Sequence, residues 1–286
     1  MTREAATKLA RRYFDLGTHT VSGLRLKAGG WLARMDAYDF AAALVFVTLI
    51  GLVAFTFGDY GISNDEEVQQ RYGELIVRYY TSGLADRAVF HFRNLYLYGG
   101  LFDVVAVGLQ KLLPLDPYAV RHLLSALTGI GGIAAVWATA RSIGGPRAGL
   151  LAALALAVCG VWYGAMFNHT KDIPFAAAMT GATLVLIRIA RRLPTPRVGD
   201  LAAFGILTGA ALGTRVLGLL LVIYAGFAIA LYLPRPWRGL GRAQRRFLIE
   251  SSLRLLPALM LAYVVMILAW PWAGLALLNP IRGLLA

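Results

Sequence analysis

The chain has little charge and almost no cysteine. Of its 286 residues only 15% are charged, whereas 58% are hydrophobic, and the mean hydropathy is +0.64. A soluble domain of this length needs more charged surface, so the composition excludes that class and indicates a membrane protein with several spans. The single cysteine, Cys159, excludes an internal disulfide; it falls within an apolar run and is expected to be a small packing residue.

Acidic residues are also scarce, since 15 Asp and Glu stand against 28 Lys and Arg and give a net charge of +13. A basic chain indicates either a nucleic-acid partner or the cytoplasmic loops of a membrane protein. Four segments, 1–39, 141–147, 188–197 and 235–254, hold 19 of the 28 basic residues, and each adjoins an apolar run. This distribution favours membrane topology over nucleic-acid binding, with all four segments in the cytoplasm.

Several apolar runs are long enough to cross a bilayer, which takes roughly 17 to 25 residues. With the basic segments inside, the N-terminus lies in the cytoplasm and the C-terminus outside. The sequence predicts a basic cytoplasmic segment over 1–39 and an all-α transmembrane module over 40–286, whose first external loop covers about 59–121. The seven runs extend over about 40–58, 122–140, 148–167, 173–190, 200–214, 216–233 and 255–275.

The predicted first external loop contains two further helical patterns. Residues 95–113 are apolar but carry Asp103, Gln110 and a Gly-Gly break, and a crossing there would place basic loops outside. We therefore expect this segment to lie along or dip into the outer interface. Residues 68–80 alternate apolar and polar side chains at helical spacing, which predicts an amphipathic interfacial helix.

Charged residues follow three of the apolar runs on the predicted outer side: Asp65-Glu66, Lys171-Asp172 and Arg215. Ionisable groups at the edge of a membrane segment are costly to keep and are usually functional. Carboxylates can deprotonate an incoming hydroxyl or amine, and cations can hold a phosphate leaving group. Together these residues fit a transferase that uses a lipid-phosphate donor at the membrane surface.

Several of these segments resemble the GT-C glycosyltransferases: Asp65-Glu66 with the helix behind it, residues 121–127 (RHLLSAL) and residues 168–175 (NHTKDIPF). Within that superfamily the chain is most similar to the family 39-like bacterial relatives of protein O-mannosyltransferases and lipid A aminoarabinose transferases. The resemblance implies an all-α, polytopic helix bundle with interfacial helices in the first external loop. It also implies an inverting transfer of a hexose or pentose from a polyprenyl-phosphate donor to a lipid, glycan or protein acceptor, on the extracytoplasmic side of the bacterial inner membrane.

The resemblance also assigns roles to single residues. Asp65 would be the catalytic base with Glu66 beside it, and Asp172 would be a second acidic site that orients acceptor or donor. Because some relatives use a divalent ion near the first-loop acids, Mg²⁺ or Mn²⁺ stays a hypothesis; no metal-ligand spacing is present, and no firm cofactor is expected. The assigned residues are catalytic Asp65, Glu66 and Asp172, donor phosphate-binding Arg215, Lys171 and Arg93, and candidate substrate-binding His169 and Asn168.

The chain departs from these relatives in two ways. Members of the aminoarabinose branch have Lys-Pro-Pro before the interfacial segment, where this chain has Arg93 and the residues that follow it. Relatives are usually longer, with more spans and an external loop or domain after the seventh helix, so this chain is expected to lack the C-terminal part, either as a fragment or as an unusually short member.

Other interpretations stay open from the residues alone. The acids after the first run could cap the next helix, Lys171-Asp172 could be an interfacial pair, and Arg215 could extend to the lipid headgroups. Trp270 and Trp272 are expected to be interfacial anchors. At the level of function, a transporter or flippase of lipid-linked sugars, or a nonenzymatic scaffold subunit, would also place charges among apolar helices.

Overall fold

The computed structural model describes residues 36–234, 241–276 and 278–285, and within these ranges every regular element is a helix. Four helices are long and apolar enough to cross a membrane, which confirms the predicted all-α polytopic class. Nearly all of the basic segment 1–39 lies outside the described residues. The helices are α1 (Ala37–Thr56), α2 (Asn64–Thr81), α3 (Leu101–Gln110), α4 (Pro117–Ala157), α5 (Gly160–Asn168), α6 (Asp172–Ala190), α7 (Val198–Leu212), α8 (Leu220–Leu231), α9 (Arg242–Ala269), α10 (Pro271–Leu275) and α11 (Asn279–Leu285).

Helix α4 is a hairpin of two helical arms. Its 41 residues are interrupted at Gly145, whose φ of 81° suits glycine, and Pro146 starts the second arm. After this turn Gly149 lies against Trp137, so the second arm returns along the first. The second arm and α5 together correspond to the third predicted run. Cys159 lies at the break between them and is exposed, so the expectation that it is a packing residue is wrong.

Two ion pairs lie at one end of the bundle. Arg141, near the turn of the α4 hairpin, donates from Nε and Nη2 to the two carboxylate oxygens of Asp39 at 2.6 Å each. Arg192 and Asp200 join the end of α6 to the start of α7 at 2.8 Å. The connections that follow α1, α5 and α7 therefore meet at the opposite end. The number of segments that cross the membrane and the face on which each end lies stay predictions.

Glycines bring α7 close to α9. Gly205, Gly209 and Gly213 recur every four residues of the chain and present one small face. A Cβ at Gly205 or at Gly209 would lie 2.6 Å from a carbonyl oxygen of α9. Small residues at this spacing let two helix backbones approach, which is how membrane helices gain packing energy without a hydrophobic driving force.

The connection between α1 and α4 contains the two predicted amphipathic patterns. The first pattern forms α2, which buries Tyr72, Leu75, Ile76 and Tyr79 on one face. The second pattern forms a short 3₁₀ helix over Leu95–Leu97 and then the ten residues of α3. At 1.5 Å per residue this helix is about 15 Å long, half the thickness of a bilayer core. It is therefore too short to be a membrane span.

The segment before α3 is fixed by the ends of α7 and α9. The amide of Leu101 donates to the carbonyl oxygen of Gly213, and the amide of Gly100 donates to that of Ala269, both at 3.0 Å. The Trp270 indole is fully buried and donates to the carbonyl oxygen of Tyr96 at 2.7 Å, so Trp270 is a packing residue rather than an interfacial anchor. These bonds hold the backbone on both sides of Tyr98 at this end of the bundle.

Candidate active site

A polar cavity of about 220 Å³ lies at the end of the bundle opposite the ion pairs. Three charged side chains line it, one from each connection that follows α1, α5 and α7, as expected from the sequence. The complete lining is Asp65, Val68, Gln69, Leu95, Tyr98, Lys171 and Arg215. We call this cavity the polar pocket.

Asp65 and Lys171 supply one charge of each sign to the polar pocket. Asp65 is exposed in the first turn of α2, where its carboxylate also complements the helix dipole. The Nζ of Lys171 lies 5.1 Å from the centre of the Tyr98 ring. Burial lowers the pKa of Lys171, and the nearby Asp103 carboxylate opposes this effect only in part. The pocket thus combines a solvated carboxylate with a largely desolvated ammonium group.

Arg215 forms the third charged wall and is paired with a predicted site residue. It follows the end of α7 and donates from Nη2 to Oδ1 of Asp172. Its Nε is buried and has no hydrogen-bond partner among the described residues. On the other side of Asp172, Nδ1 of His169 lies 3.8 Å from Oδ2. The Asp172 carboxylate therefore lies between the Arg215 guanidinium and the His169 imidazole, and it orients Arg215.

Glu66 does not line the polar pocket, although it neighbours Asp65 in the chain. Its side chain is fully buried, and Oε2 accepts the backbone amide of Ser63 at 2.9 Å. Oε1 lies 3.1 Å from Nε2 of His122, an ion-pair distance in an orientation short of a regular hydrogen bond. Burial alone would raise the pKa of Glu66, but His122 and the Ser63 amide outweigh it and hold the pKa below its usual range. This carboxylate anchors α2.

The remaining predicted residues lie outside the lining of the polar pocket. Arg93 is exposed on the first loop at a φ of 51°, and His169 is exposed. Asn168, the last residue of α5, is half-buried. The structure therefore brings together Asp65, Lys171 and Arg215, with Asp172 behind Arg215, and leaves the other assignments as predictions.

No role follows from the sequence for a group of buried polar residues in the wall of the polar pocket and beneath it. All five are at most 6% exposed. Two of them, Asp103 and Arg121, are charged residues in apolar surroundings, and this is the signal that could have found them. The group consists of Gln69, Asp103, Arg121, His122 and Thr170.

An apolar cavity of about 360 Å³ adjoins the polar pocket. Three stretches of chain contribute one residue to each cavity. Tyr98, Lys171 and Arg215 line the polar pocket. Leu101, Pro174 and Thr214, at most three residues away along the chain, line the apolar cavity. The cavity is otherwise surrounded by α3, α4, α6 and α7, with lining residues Leu101, Phe102, Val105, Leu124, Thr128, Gly131, Ala135, Pro174, Ala177, Ala178, Gly181, Leu207, Ala210 and Thr214.

The three predicted acids do not form a common ligand set for a divalent ion. Among the described residues no group of three His, Cys, Asp or Glu side chains is arranged to hold a metal. The Glu66 carboxylate faces His122 and Ser63, and Asp172 faces Arg215. Asp65, Glu66 and Asp172 therefore do not fit the hypothesis of a Mg²⁺ or Mn²⁺ ion held by these acids, and no step is assigned to a metal.

The bundle, with a charged pocket at one end and an apolar cavity beside it, defines a polytopic membrane protein with a site for an amphipathic ligand. The family model described as dolichyl-phosphate-mannose-protein mannosyltransferase matches residues 116–272, more than half of the chain. The chain therefore belongs to this family of GT-C membrane glycosyltransferases, whose sugar donor is a polyprenyl phosphate. No curated protein and no solved structure matches the chain. The resemblance found in the sequence is confirmed, and the family favours an enzyme over a transporter or a scaffold.

Proposed function

We propose that the protein transfers a sugar from a polyprenyl phosphate to a lipid, glycan or protein acceptor at the extracytoplasmic face of a bacterial plasma membrane. The observation that carries this proposal is the pair of adjoining cavities, one polar and one apolar. The donor has the same two parts, a charged sugar-phosphate head and a long apolar chain. We assign the head to the polar pocket and the first isoprene units to the apolar cavity.

Asp65 is the proposed general base. Its carboxylate accepts the proton of the acceptor hydroxyl while the hydroxyl oxygen attacks the anomeric carbon of the sugar. The bond between that carbon and the phosphate oxygen breaks, and its electron pair leaves with the polyprenyl phosphate. Attack from the face opposite the leaving group inverts the anomeric centre. Because Asp65 is exposed, the proton then passes to solvent.

Lys171 and Arg215 are proposed to hold the donor phosphate. Both line the polar pocket, and negative charge on the phosphate increases as the sugar leaves. Preorganised cations in a partly desolvated site stabilise such developing charge more strongly than water does. Asp172 orients Arg215 through their ion pair, so that the guanidinium is held at the edge of the polar pocket.

The proposal is tested in cells that lack the full-length gene. These cells are complemented at matched protein abundance with the wild type, Asp65→Asn, Asp172→Asn or Asp59→Asn, and their glycolipids and glycoproteins are profiled. Asp59 is the matched control because it is an exposed carboxylate of the same connection and does not line the polar pocket. Loss of a positioned base reduces rate on the order of a hundredfold or more.

We expect the cells to lose one sugar modification, which the wild type and Asp59→Asn restore and Asp65→Asn does not. Asp172→Asn should restore it in part, since Arg215 keeps its charge but loses its partner. Full restoration by Asp65→Asn, or an unchanged profile in cells without the gene, would contradict the proposal. The modification itself would identify the sugar and the acceptor.

A further inference from the structure

We propose that Arg121 is a positioning residue that fixes two walls of the polar pocket relative to each other through Gln69 and Thr170. The inference rests on the proposed function, because it concerns the same pocket. Arg121 does not itself line the pocket. Its role is to hold the residues that carry Asp65 and Lys171.

The Arg121 guanidinium is fully buried and contacts three separate parts of the chain. Its Nη2 lies 2.7 Å from Oδ1 of Asp103 on α3, 3.3 Å from Oε1 of Gln69 on α2, and 3.2 Å from Oγ1 of Thr170 before α6. The Thr170 hydroxyl also donates to Oε1 of Gln69. One group on α4 thus joins α2, α3 and the α5–α6 connection.

These contacts act on the two reactive walls of the pocket. Gln69 lies one helical turn after Asp65, and both face the pocket, so the position of Gln69 sets the rotation of α2 that directs Asp65. Thr170 directly precedes Lys171, so fixing its hydroxyl fixes the turn that presents the Lys171 side chain. The distance between base and cation therefore depends on Arg121.

The guanidinium also lies at the boundary between the two cavities. Its central carbon is 5.2 Å from the centre of the Phe102 ring, and Phe102 lines the apolar cavity. Arg121 accordingly contacts a lining residue of each cavity, Gln69 and Phe102. The next residue, His122, pairs with Glu66 and gives α2 a second attachment to α4.

Stability alone does not account for this arrangement. Replacing a buried ion pair by apolar residues of similar volume is often neutral or stabilising, because desolvation offsets the attraction between the charges. A planar guanidinium instead keeps its donors at fixed angles. The two N–H groups of Nη2 are shared among Asp103, Gln69 and Thr170, and Nη1 adds a contact of 3.4 Å to Oε1 of Gln70 on α2. Such a fixed geometry is useful where the relative position of neighbouring groups affects a reaction, and small misplacements there reduce rate by large factors.

The test uses three variants: Thr170→Val, Arg121→Lys and the double variant that carries both changes. Each is compared with the control variant Thr208→Val. Thr208 is the matched control because it is a fully buried threonine that lines neither cavity. Each purified full-length protein is assayed for binding of undecaprenyl phosphate and for thermal unfolding. The same variants are assayed for restoration of the lost sugar in cells, with Asp65→Asn alongside.

We expect Thr170→Val to remain folded at the assay temperature and to weaken undecaprenyl phosphate binding about tenfold, the size of one hydrogen bond to a charged group. The double variant should bind no more weakly than Arg121→Lys, because both changes remove the same contact. The inference would be overturned if Thr170→Val bound undecaprenyl phosphate and transferred the sugar as well as Thr208→Val does. This outcome can be read even if Arg121→Lys fails to fold. Failure of the proposed function is distinct, since Asp65→Asn would then restore the sugar.

Discussion

Lys171 is a cation that the fold keeps largely out of water, and burial lowers the pKa of its ammonium group. The neutral form therefore appears at a lower pH than the value of about 10.4 for a free lysine. If Lys171 holds the donor phosphate as a cation, the rate of sugar transfer should fall as Lys171 loses its proton. This alkaline decline should begin at a pH below the pKa of a free lysine. An arginine at this position keeps its charge throughout the accessible range.

We accordingly predict that Lys171→Arg moves the alkaline decline of transfer to higher pH, although its maximal rate falls because a guanidinium fits a lysine site poorly. The measurement is the initial rate of transfer in membranes against pH. Lys111→Arg is the control, since Lys111 is exposed and lies outside the pocket lining. Identical alkaline declines in the wild type and Lys171→Arg would exclude Lys171 as the titrating group.

The sequence predicts which charged residues lie at the site better than it predicts which side chains they contact. Asp65, Lys171 and Arg215 follow apolar runs, and the topology brings such positions to one side. The different environments of neighbouring Asp65 and Glu66 depend on the rotation of α2, which no local pattern specifies. Arg121 belongs to the sequence motif at residues 121–127, but the motif does not reveal its partner. The contact with Asp103 joins α4 to α3, and the packing of these helices cannot be read from the sequence.

The contact between α7 and α9 gives a prediction at the scale of single elements. A methyl group at Gly209 would lie 2.6 Å from both the carbonyl oxygen of Ala262 and the Cβ of Val265, so the helices must separate. We expect Gly209→Ala to lower the free energy of unfolding by about 1–3 kcal/mol despite the better helix propensity of alanine. The measurement is thermal unfolding in detergent. Gly226→Ala on α8 is the control, because its added methyl would meet no other element within 4 Å in the described part of the chain.

Because α9 also ends beside the segment before α3, this separation should disturb the pocket. Transfer by Gly209→Ala should fall even at temperatures where the protein remains folded. An unfolding temperature equal to that of Gly226→Ala would show that the two helices tolerate the extra volume and that the close approach is unimportant.

At the same scale, periodicity predicted some helices well and misjudged the environment of others. The apolar positions of α2 are spaced for one buried face, and that face is buried. The two runs on either side of Gly145 also correspond to the two arms of the α4 hairpin. In contrast, hydropathy extended the α3 pattern over 95–113, whereas the helix has ten residues, because contacts with α7 and α9 hold the preceding backbone in another conformation.

At the scale of the whole molecule, the proposed orientation places the polar pocket outside the cell and the basic connections inside. We predict that a membrane-impermeant maleimide labels Ala85→Cys in intact cells but labels Thr195→Cys only after permeabilisation. Both positions are exposed, one on the first loop and one between α6 and α7. Each variant is made in a Cys159→Ser background, because Cys159 is the single native cysteine and is exposed. The opposite labelling pattern would move the site to the cytoplasmic face.

The walls of the polar pocket come from residues far apart in the chain, from Asp65 to Arg215, and this spacing bears on how the protein is made. Synthesis delivers the N-terminal part first. The ion pair between Asp39 and Arg141 can form while the ribosome is still completing the chain, but Arg215, the last cation of the proposed phosphate site, is present only after α7 has been inserted. A nascent chain that stops earlier would carry the proposed base without the full set of proposed cations, so on this proposal biogenesis itself delays activity until most of the bundle is assembled.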